Sequence, residues 1–280
     1  MSGAIIIIGA SRGPGRQLFD HLIKHNHSVV GIARNPRGLG TSPSGRFVQC
    51  DASDLEQLAM LIGQNNTVIN ASCPEFLTNL LELDPPMSRL IALGSTRIYT
   101  RFAYEKCDRL AAMAHAIWMR DIPATILHAT MIYGSQGLNN IERICKIARL
   151  SPLIPLPENG SALIQPVHVN YVVASIDAIL KNPQTIGQTL IIAGQNPVTY
   201  REFIEACIEL SGNRCKVLSL PYSVVSIIGL LTHLVPGIPS ITQDEIRRLR
   251  EDKNFDVTEV EDSLGIKTWP LREGLQQIFS

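Results

Sequence analysis

Apolar and polar positions along the first 130 residues follow a pattern that predicts strands separated by helices. Short aliphatic runs predict six strands: Ala4–Ile8, Ser28–Ala33, Phe47–Cys50, Thr67–Asn70, Arg89–Leu93 and Ala124–Ala129. Amphipathic stretches between them predict helices near Gly15–Lys24, Asp54–Gly63, Glu75–Glu82 and Ala103–Arg120. Because these strands are almost continuously apolar, both faces of their sheet must be covered. The pattern therefore predicts a doubly wound α/β fold with a parallel sheet and a ligand crevice at the carboxyl ends of its strands.

After Gly134 the alternation becomes less regular. The pattern predicts a strand at Thr189–Ile192 and helices near Asn139–Arg149, Val169–Leu180, Tyr200–Leu210, Thr242–Asp252 and Leu271–Phe279. A proline-rich segment, SPLIPLPENG, connects the first two of these helices. We expect residues 1–150 to form the core of the sheet, and residues 151–280 to complete it and to form a smaller, mainly helical C-terminal region.

One strongly apolar stretch, Pro221–Pro239, requires a test for a membrane span. Gly229, Thr232, His233 and Pro236 interrupt it, so its continuous apolar part is shorter than the roughly 20 residues that a spanning helix needs. We expect no membrane span there, and a helix that is buried or covers a ligand. A contact with a membrane surface is the alternative.

Composition narrows the class of protein. Of the 280 residues, 45% are apolar and 18% are charged, and 25 cationic side chains balance 25 anionic ones, so a packed core is expected and a nucleic-acid partner is not. The six cysteines show no Cys-x-x-Cys pair and no histidine cluster at metal spacing, which predicts reduced thiols and no metal site. The apolar start lacks the features of a signal peptide, so we expect a cytoplasmic protein.

The stretch Gly9-Ala10-Ser11-Arg12-Gly13-Pro14-Gly15 is the most informative motif. It directly follows a predicted strand and opens a predicted helix, which is the setting of a dinucleotide-binding turn. Gly9 permits a tight turn, Gly13 lets the backbone approach a pyrophosphate, and Gly15 lets the helix pack closely against the sheet. The N–H groups at the helix start would bind the phosphates. The motif therefore predicts a Rossmann fold that binds a dinucleotide.

The end of the second strand predicts which dinucleotide is preferred. An NAD-binding turn of this kind needs a carboxylate there for the ribose hydroxyls, and this chain has Arg34 instead. Arg12, in the glycine turn, is expected to lie close by. Two guanidiniums suit a 2′-phosphate, so the sequence favours NADP, with NAD as the alternative.

These motifs resemble the short-chain dehydrogenase/reductase superfamily, whose common opening Gly9–Gly13 matches. The segments ILHATMIYG, from Ile126 to Gly134, and QPVHVN, from Gln165 to Asn170, resemble its atypical and extended branches, the NAD-dependent epimerases and dehydratases that act on sugar nucleotides. His128 stands where that branch commonly has arginine, and Asn170 where it has aspartate. The resemblance covers most of residues 4–210.

The resemblance implies roles for individual residues. Asp51 would meet the adenine ring, and Asn70 and Ala71 would line the cofactor. Ser95 would orient the substrate, and Lys106 would hold the nicotinamide ribose. The tyrosine that the superfamily places four residues before its lysine is absent, because that position is Phe102. Tyr104 is nearby, and it could replace that tyrosine only if its helix begins later than predicted.

These residues suggest two alternative functions. The first is an NADP(H)-dependent oxidoreductase or epimerase-like enzyme that acts on a sugar-nucleotide-like or other small carbonyl or hydroxyl substrate, with Ser95, Lys106 and Tyr104 as catalytic residues. The second is a non-catalytic NADP(H)-binding sensor or assembly protein, which Phe102 favours. The glycine spacing disfavours a methyltransferase. The sequence leaves the oligomeric state open, and a homodimer is one option.

Overall fold

The structure, a computed structural model, describes residues 3–36, 40, 42–102, 104–135, 140–232, 239 and 241–279. Its strands, in chain order, are β1 (Ile5–Ile8), β2 (Val29–Ala33), β3 (Gly45–Gln49), β4 (Thr67–Asn70), β5 (Arg89–Ser95), β6 (Ala124–Ala129), β7 (Ile132–Tyr133), β8 (Leu153–Pro157), β9 (Leu163–Ile164), β10 (Val167–His168), β11 (Thr189–Ile192), β12 (Val198–Thr199) and β13 (Lys216–Leu220). Its helices are α1 (Gly13–Lys24), α2 (Leu55–Met60), α3 (Pro74–Glu82), α4 (Glu105–Trp118), α5 (Asn140–Leu150), α6 (Val169–Lys181), α7 (Tyr200–Leu210), α8 (Tyr222–Leu231), α9 (Gln243–Arg248), α10 (Thr258–Leu264) and α11 (Leu271–Phe279).

Seven strands form the central sheet, in the order β11-β6-β5-β4-β1-β2-β3. All neighbouring pairs in it are parallel. The chain moves outward from β1 to β3 and then crosses to β4, on the other side of β1. In open α/β sheets, ligands bind at such a switch point, outside the carboxyl ends of the strands. The predicted doubly wound α/β fold is confirmed.

The first strand shows why helices cover both faces of the sheet. Ile5 and Ile7 belong to one hydrophobic core, which receives apolar side chains from α1 and α6. Ile6 and Ile8 belong to a second core, which α2, α3 and α4 complete. Successive side chains of a strand point to opposite faces, so an uninterrupted apolar strand needs both layers.

A third core lies in the C-terminal region, among α5, α7, α11 and β8. The proline-rich segment, expected as a connection, contains β8, which pairs in parallel with β13. Prolines are tolerated there because this sheet has only two strands, so the N–H that each proline lacks does not interrupt a central ladder.

Two predicted helix boundaries were wrong, and one helix was missed. Helix α4 begins at Glu105 rather than Ala103, because Tyr104 is extended, with φ −160° and ψ 161°. Helix α9 ends at Arg248 rather than Asp252, and α10 was not predicted at all. Residues 249–252, predicted as the end of that helix, instead form a turn and the start of an irregular connection to α10.

Helix α8 is less buried than its sequence suggests. Val225 and Gly229 face the protein, whereas Val224, Ile227 and Leu230 are exposed. The buried alternative is therefore wrong for α8, whereas a helix that covers a ligand or contacts a membrane surface stays a prediction. The remainder of the predicted apolar segment, residues 233–238, lies outside the described residues. No helix among the described residues is long and apolar enough to cross a membrane.

Candidate functional site at the carboxyl edge of the sheet

The glycine turn has the backbone that its sequence requires. Gly9 has φ +87° and Gly13 has φ +61°, both in the left-handed region that favours glycine. A Cβ atom on Gly15 would lie 2.3 Å from the carbonyl oxygen of Gly9, so only glycine allows α1 to approach the strand end this closely. A Cβ on Gly13, in contrast, would meet nothing within 4 Å. The turn is tightly packed on its inner side and open at Gly13.

The start of α1 is suited to an anion. Pro14 lies in its first turn, and that turn contains no acidic residue. Arg12 is the N-cap residue, but its side chain makes no capping hydrogen bond. Ser11 and Arg12 are both exposed. The first N–H groups of a helix lack intrahelical partners and carry the positive end of the helix dipole, so this end can bind phosphate oxygens.

The segment after β4 packs against this turn. The Ala71 N–H donates to the Ile8 carbonyl at 2.9 Å, and a Cβ on Gly9 would contact Ala71 and Ser72. The Asn70 side-chain oxygen accepts from the Ser72 hydroxyl at 2.7 Å, yet its amide nitrogen is buried with no partner among the described residues. A buried unpaired donor is costly, and a bound polar ligand at this edge would satisfy it.

Arg34 and Asp51 are close to each other beyond the ends of β2 and β3. Both are exposed. The Ser53 backbone N–H and then the Ser53 hydroxyl, both bonded to the carboxylate, hold the pKa of Asp51 below its ordinary value, and the Arg34 charge lowers it further. Asp51 is therefore ionised near neutral pH, and it partly offsets the positive charge of Arg34.

Ser95 lies at the carboxyl end of β5, and its hydroxyl already has a structural partner. The hydroxyl oxygen accepts a hydrogen bond from the Arg97 N–H at 3.3 Å and so caps the 3-10 turn Thr96–Tyr99. Helix α4 packs on this turn. Lys106, in the first turn of α4, is exposed, and it has no hydrogen bond or ion pair with any described residue.

The two aromatic residues before Lys106 contact the C-terminal region. The Tyr104 hydroxyl accepts a hydrogen bond from the Arg248 guanidinium at 2.8 Å, and that guanidinium also lies 5.3 Å from the Tyr104 ring centre. The Arg247 guanidinium lies 4.6 Å from the Phe102 ring centre. Tyr104 is therefore close to Lys106 in sequence, but its hydroxyl is hydrogen-bonded to Arg248, the last residue of α9.

A buried carboxylate, Glu251, binds the segment before α4 at Thr100 and Arg101, and the sequence pattern did not predict this contact. Glu251 is only 6% exposed, so its carboxylate needs partners, and it accepts from the Thr100 hydroxyl and the Arg101 N–H. The stretch 243–253 alternates acidic and basic residues, which is typical of a solvated helix. No local signal distinguishes Glu251 from its neighbours, because its partners lie about 150 residues away.

Two histidines near this edge are held by packing contacts. His128 pairs with Gly94 across β6 and β5, its ring packs edge-on against Tyr99, and burial lowers its pKa to about 4. His168 caps α6 and stacks on Trp269, and burial also lowers its pKa. Neutral imidazoles held this way are poor proton donors at neutral pH. No group of three metal-ligating side chains occurs among the described residues.

One curated relative is similar in sequence. It is the NADH dehydrogenase [ubiquinone] 1 alpha subcomplex subunit 9, mitochondrial, of Dictyostelium discoideum, which is 26% identical over 246 residues, covering 81% of this chain and 68% of the relative. No family model matches the chain.

Solved structures with the same fold include two enzymes. The UDP-glucuronic acid 4-epimerase of Bacillus cereus, in complex with UDP-glucuronic acid and NAD, superposes with a TM-score of 0.74 at 16% identity, over 99% of this chain and 98% of that one. The dTDP-glucose 4,6-dehydratase of Bacillus anthracis, in complex with NAD, has a TM-score of 0.72 at 14% identity, over 99% and 95% of the chains. The resemblance to the epimerase and dehydratase branch of the short-chain dehydrogenase/reductase superfamily is confirmed at the level of the fold.

Proposed function

From the fold that this chain shares with epimerases and dehydratases, we propose that it is an NADP(H)-binding protein that has lost tyrosine-dependent proton transfer. The observation that carries the proposal is the contrast at Tyr104: the superfamily's tyrosine position holds Phe102, and the hydroxyl of Tyr104 is bonded to Arg248. In this proposal the chain acts as a cofactor-dependent sensor or as an assembly module.

One half of the candidate site, called the cofactor half and formed by Gly9–Gly15, Arg34, Asp51, Asn70 and Ala71, fits a dinucleotide. The turn Gly9–Gly15 and the start of α1 would hold the pyrophosphate, with Ser11 and Gly13 at its open side. Asn70 has a buried amide nitrogen without a partner at this edge, and Ala71 packs on the turn. Asp51 would meet the adenine, as the superfamily resemblance implies. The relatives that were crystallised with NAD support this assignment.

The preference for NADP over NAD rests on Arg34. It is exposed at the end of β2, where an NAD-binding turn needs a carboxylate. Arg12 is exposed in the neighbouring turn, so two guanidiniums are available for a 2′-phosphate. Asp51 lowers the net positive charge there, and the preference should therefore be moderate.

The other half of the candidate site, called the catalytic half, comprises Ser95–Lys106 and the residues packed on it. Its contacts support the loss of tyrosine-dependent proton transfer. A bound nicotinamide would supply a hydride donor or acceptor, but the protein must also move a proton. Phe102 has no proton to give, the Ser95 hydroxyl caps the turn, and Lys106 has no partner among the described residues. In this proposal, the three groups that the superfamily uses together therefore do not form a proton-transfer set.

A role in an assembly is supported by the curated relative, whose name describes a subunit of a larger complex. The cytoplasmic location and the homodimer stay predictions, and the relative's name gives a mitochondrial location for that protein. A small-molecule ligand in the crevice is part of both functional hypotheses.

The test is a gain-of-function pair. With a panel of carbonyl compounds, we expect the native protein to oxidise NADPH negligibly, and Phe102→Tyr to restore turnover. General acid catalysis is typically worth about 10²–10⁴ in rate, so the gain would be measurable. Tyr104→Phe serves as the matched aromatic control and should leave the native level unchanged. Native turnover that disappears in Tyr104→Phe would contradict the proposal.

The second candidate is an enzyme in which Tyr104 is the proton donor. It is favoured by the late start of α4, which leaves Tyr104 extended outside the helix, and by the Arg248 guanidinium, whose hydrogen bond fixes the position of the Tyr104 hydroxyl. In that case native activity should disappear in Tyr104→Phe and decrease in Arg248→Gln, which removes the charge.

A further inference from the structure

Three cationic side chains, one of them within the Thr96–Tyr99 turn, come together near Tyr104. The Arg248 guanidinium donates to the Tyr104 hydroxyl at 2.8 Å, and the Lys253 ammonium donates to the Arg248 carbonyl at 3.2 Å. Arg97 lies within electrostatic range of Arg248, Lys253 and Tyr104. Like charges repel one another, so this cluster, defined here as Arg97, Arg248 and Lys253, is most stable when an anion neutralises it.

The charged ends of two members are in a weakly solvated environment. Desolvation, followed by the charge of Arg248, lowers the pKa of Arg97. Desolvation also lowers the pKa of Lys253, and Arg248 and Arg97 lower it further, against an opposing effect of Glu251. Arg97 nevertheless keeps a large part of its side chain exposed, so its guanidinium is accessible to a ligand although neighbouring atoms displace some of its water.

The carboxylates around the cluster are already bound to other groups. Glu245 forms an ion pair with Arg143 at 2.7 Å. Glu251 accepts from the Thr100 hydroxyl and from a backbone N–H, and Asp252 accepts from the Leu163 N–H at 2.8 Å. These acids screen the cluster without forming a direct salt bridge to any of its three members. A direct ion pair with any of the three cations is therefore still open to an anionic ligand.

Arg97 itself has unused hydrogen-bonding capacity. Its backbone carbonyl accepts from the Cys107 thiol at 3.2 Å, but its guanidinium donates no hydrogen bond to a described residue. A guanidinium has five N–H donors in a planar fork that matches an oxyanion. Its place in the chain, two residues after Ser95, puts it at the carboxyl edge of the sheet, where ligands of this fold bind.

We propose that Arg97, Arg248 and Lys253 form a binding site for a doubly charged oxyanion, a phosphate or a dicarboxylate group of a small-molecule ligand, next to Ser95 and Tyr104. This inference deepens the proposed function, because it names the chemical class of the ligand in the catalytic half. A doubly charged group fits best, because a single carboxylate would leave two of the three cations uncompensated.

The experiment is calorimetric titration of the native protein with inorganic phosphate, malonate and acetate at low salt, in the presence of excess NADPH. The cofactor fills the glycine turn, so phosphate cannot report on that turn. We expect phosphate, malonate or both to bind, and more tightly than acetate, and the comparison of the two dianions identifies the preferred group. Should NADPH itself fail to bind, Gly13→Val protein without cofactor keeps the test independent of the proposed function.

Arg97→Gln should weaken binding of the dianion about tenfold or more, because it removes charge-assisted hydrogen bonds. Arg46→Gln, at an exposed cation on the far edge of the sheet, is the matched control and should change nothing. Without ligand, Arg97→Gln should also leave Tm unchanged or raise it, because it relieves repulsion between cations. No dianion binding, equal binding of acetate, or binding that Arg97→Gln does not weaken would overturn the proposal, and so would a lowered Tm in ligand-free Arg97→Gln.

Discussion

The glycine turn and the Ser95–Lys106 connection lie at the same edge of one sheet, yet their uncharged polar groups are used in opposite ways. At the turn, the Asn70 amide nitrogen has no partner among the described residues, and no side chain caps the first N–H groups of α1. In the connection, the Ser95 hydroxyl caps a turn and the Tyr104 hydroxyl is bonded to Arg248. The turn therefore keeps amide donors available to a ligand, whereas the connection uses these two hydroxyls within the protein and leaves its cations, Arg97 and Lys106, for a ligand.

This comparison separates two properties that usually occur together in the fold. Binding of the dinucleotide depends on backbone geometry after β1, which three glycines preserve. Under the proposed function, proton transfer would depend on a few side chains after β5, and phenylalanine at residue 102 would remove it. Glu251 and Arg248 then attach that loop to the C-terminal region, so its polar groups contribute to packing. Fold and cofactor site can therefore persist after the chemistry is lost.

The largest effect should come from Gly13→Val, which we expect to abolish dinucleotide binding while the protein stays folded. The substitution adds a side chain on the open side of the turn, where a Cβ meets no protein atom within 4 Å, so it obstructs the ligand and not the core. Gly212→Val is the matched control, because Gly212 also has positive φ and open space. NADPH fluorescence titration measures both variants. Native affinity in Gly13→Val would show that the turn is not the site.

The next effect concerns His128, in the catalytic half. Its folded-state pKa of about 4 lies below the ordinary 6.5, so the unfolded chain binds more protons between these values and stability falls as the pH is lowered from 6.5 towards 4. Two pH units in this window correspond to about 2–3 kcal/mol. Urea unfolding at pH 6.5 and pH 4.5 should show a smaller loss in His128→Leu than in the native protein. Equal losses would mean that His128 is protonated in the fold and available as an acid.

A smaller effect is expected for Arg34→Ala, which tests whether the cofactor half distinguishes NADP from NAD. Native protein should bind NADPH more tightly than NADH. Loss of a charge-assisted contact costs about 1.5–3 kcal/mol, so the variant should lose about tenfold or more of that preference while its affinity for NADH changes little. Arg46→Ala controls for general loss of positive charge. A native preference for NADH would refute the role given to Arg34.

The sequence was sufficient to predict the sheet, because each strand from Thr67–Asn70 to Ala124–Ala129 is a compact apolar run and each glycine of the turn has a local reason to be there. The contacts of the catalytic half were not predictable in the same way. Glu251 meets Thr100, and Arg248 meets Tyr104, across about 150 residues. Charged residues in an apparently solvated helix carry no local sign of such partners.

The late start of α4 is also explained by a contact between residues that are distant in sequence. The pattern of apolar residues continues back to Ala103, so the periodicity alone predicts a longer helix. The Glu251 carboxylate accepts hydrogen bonds from the Arg101 N–H and the Thr100 hydroxyl, and both Thr100 and Tyr104 have an extended backbone. Helix propensity is weak compared with a buried charge that needs hydrogen-bond donors, so the tertiary contact determines the boundary.

The most direct test of this account is to titrate native protein with NADPH and to follow the same sample for NADPH oxidation after a carbonyl panel is added. The account predicts saturable binding with no oxidation above the protein-free rate, because the cofactor half is intact and the proton donor is absent. Saturable binding followed by oxidation that Tyr104→Phe abolishes would contradict the central claim that this chain binds the cofactor without tyrosine-dependent chemistry.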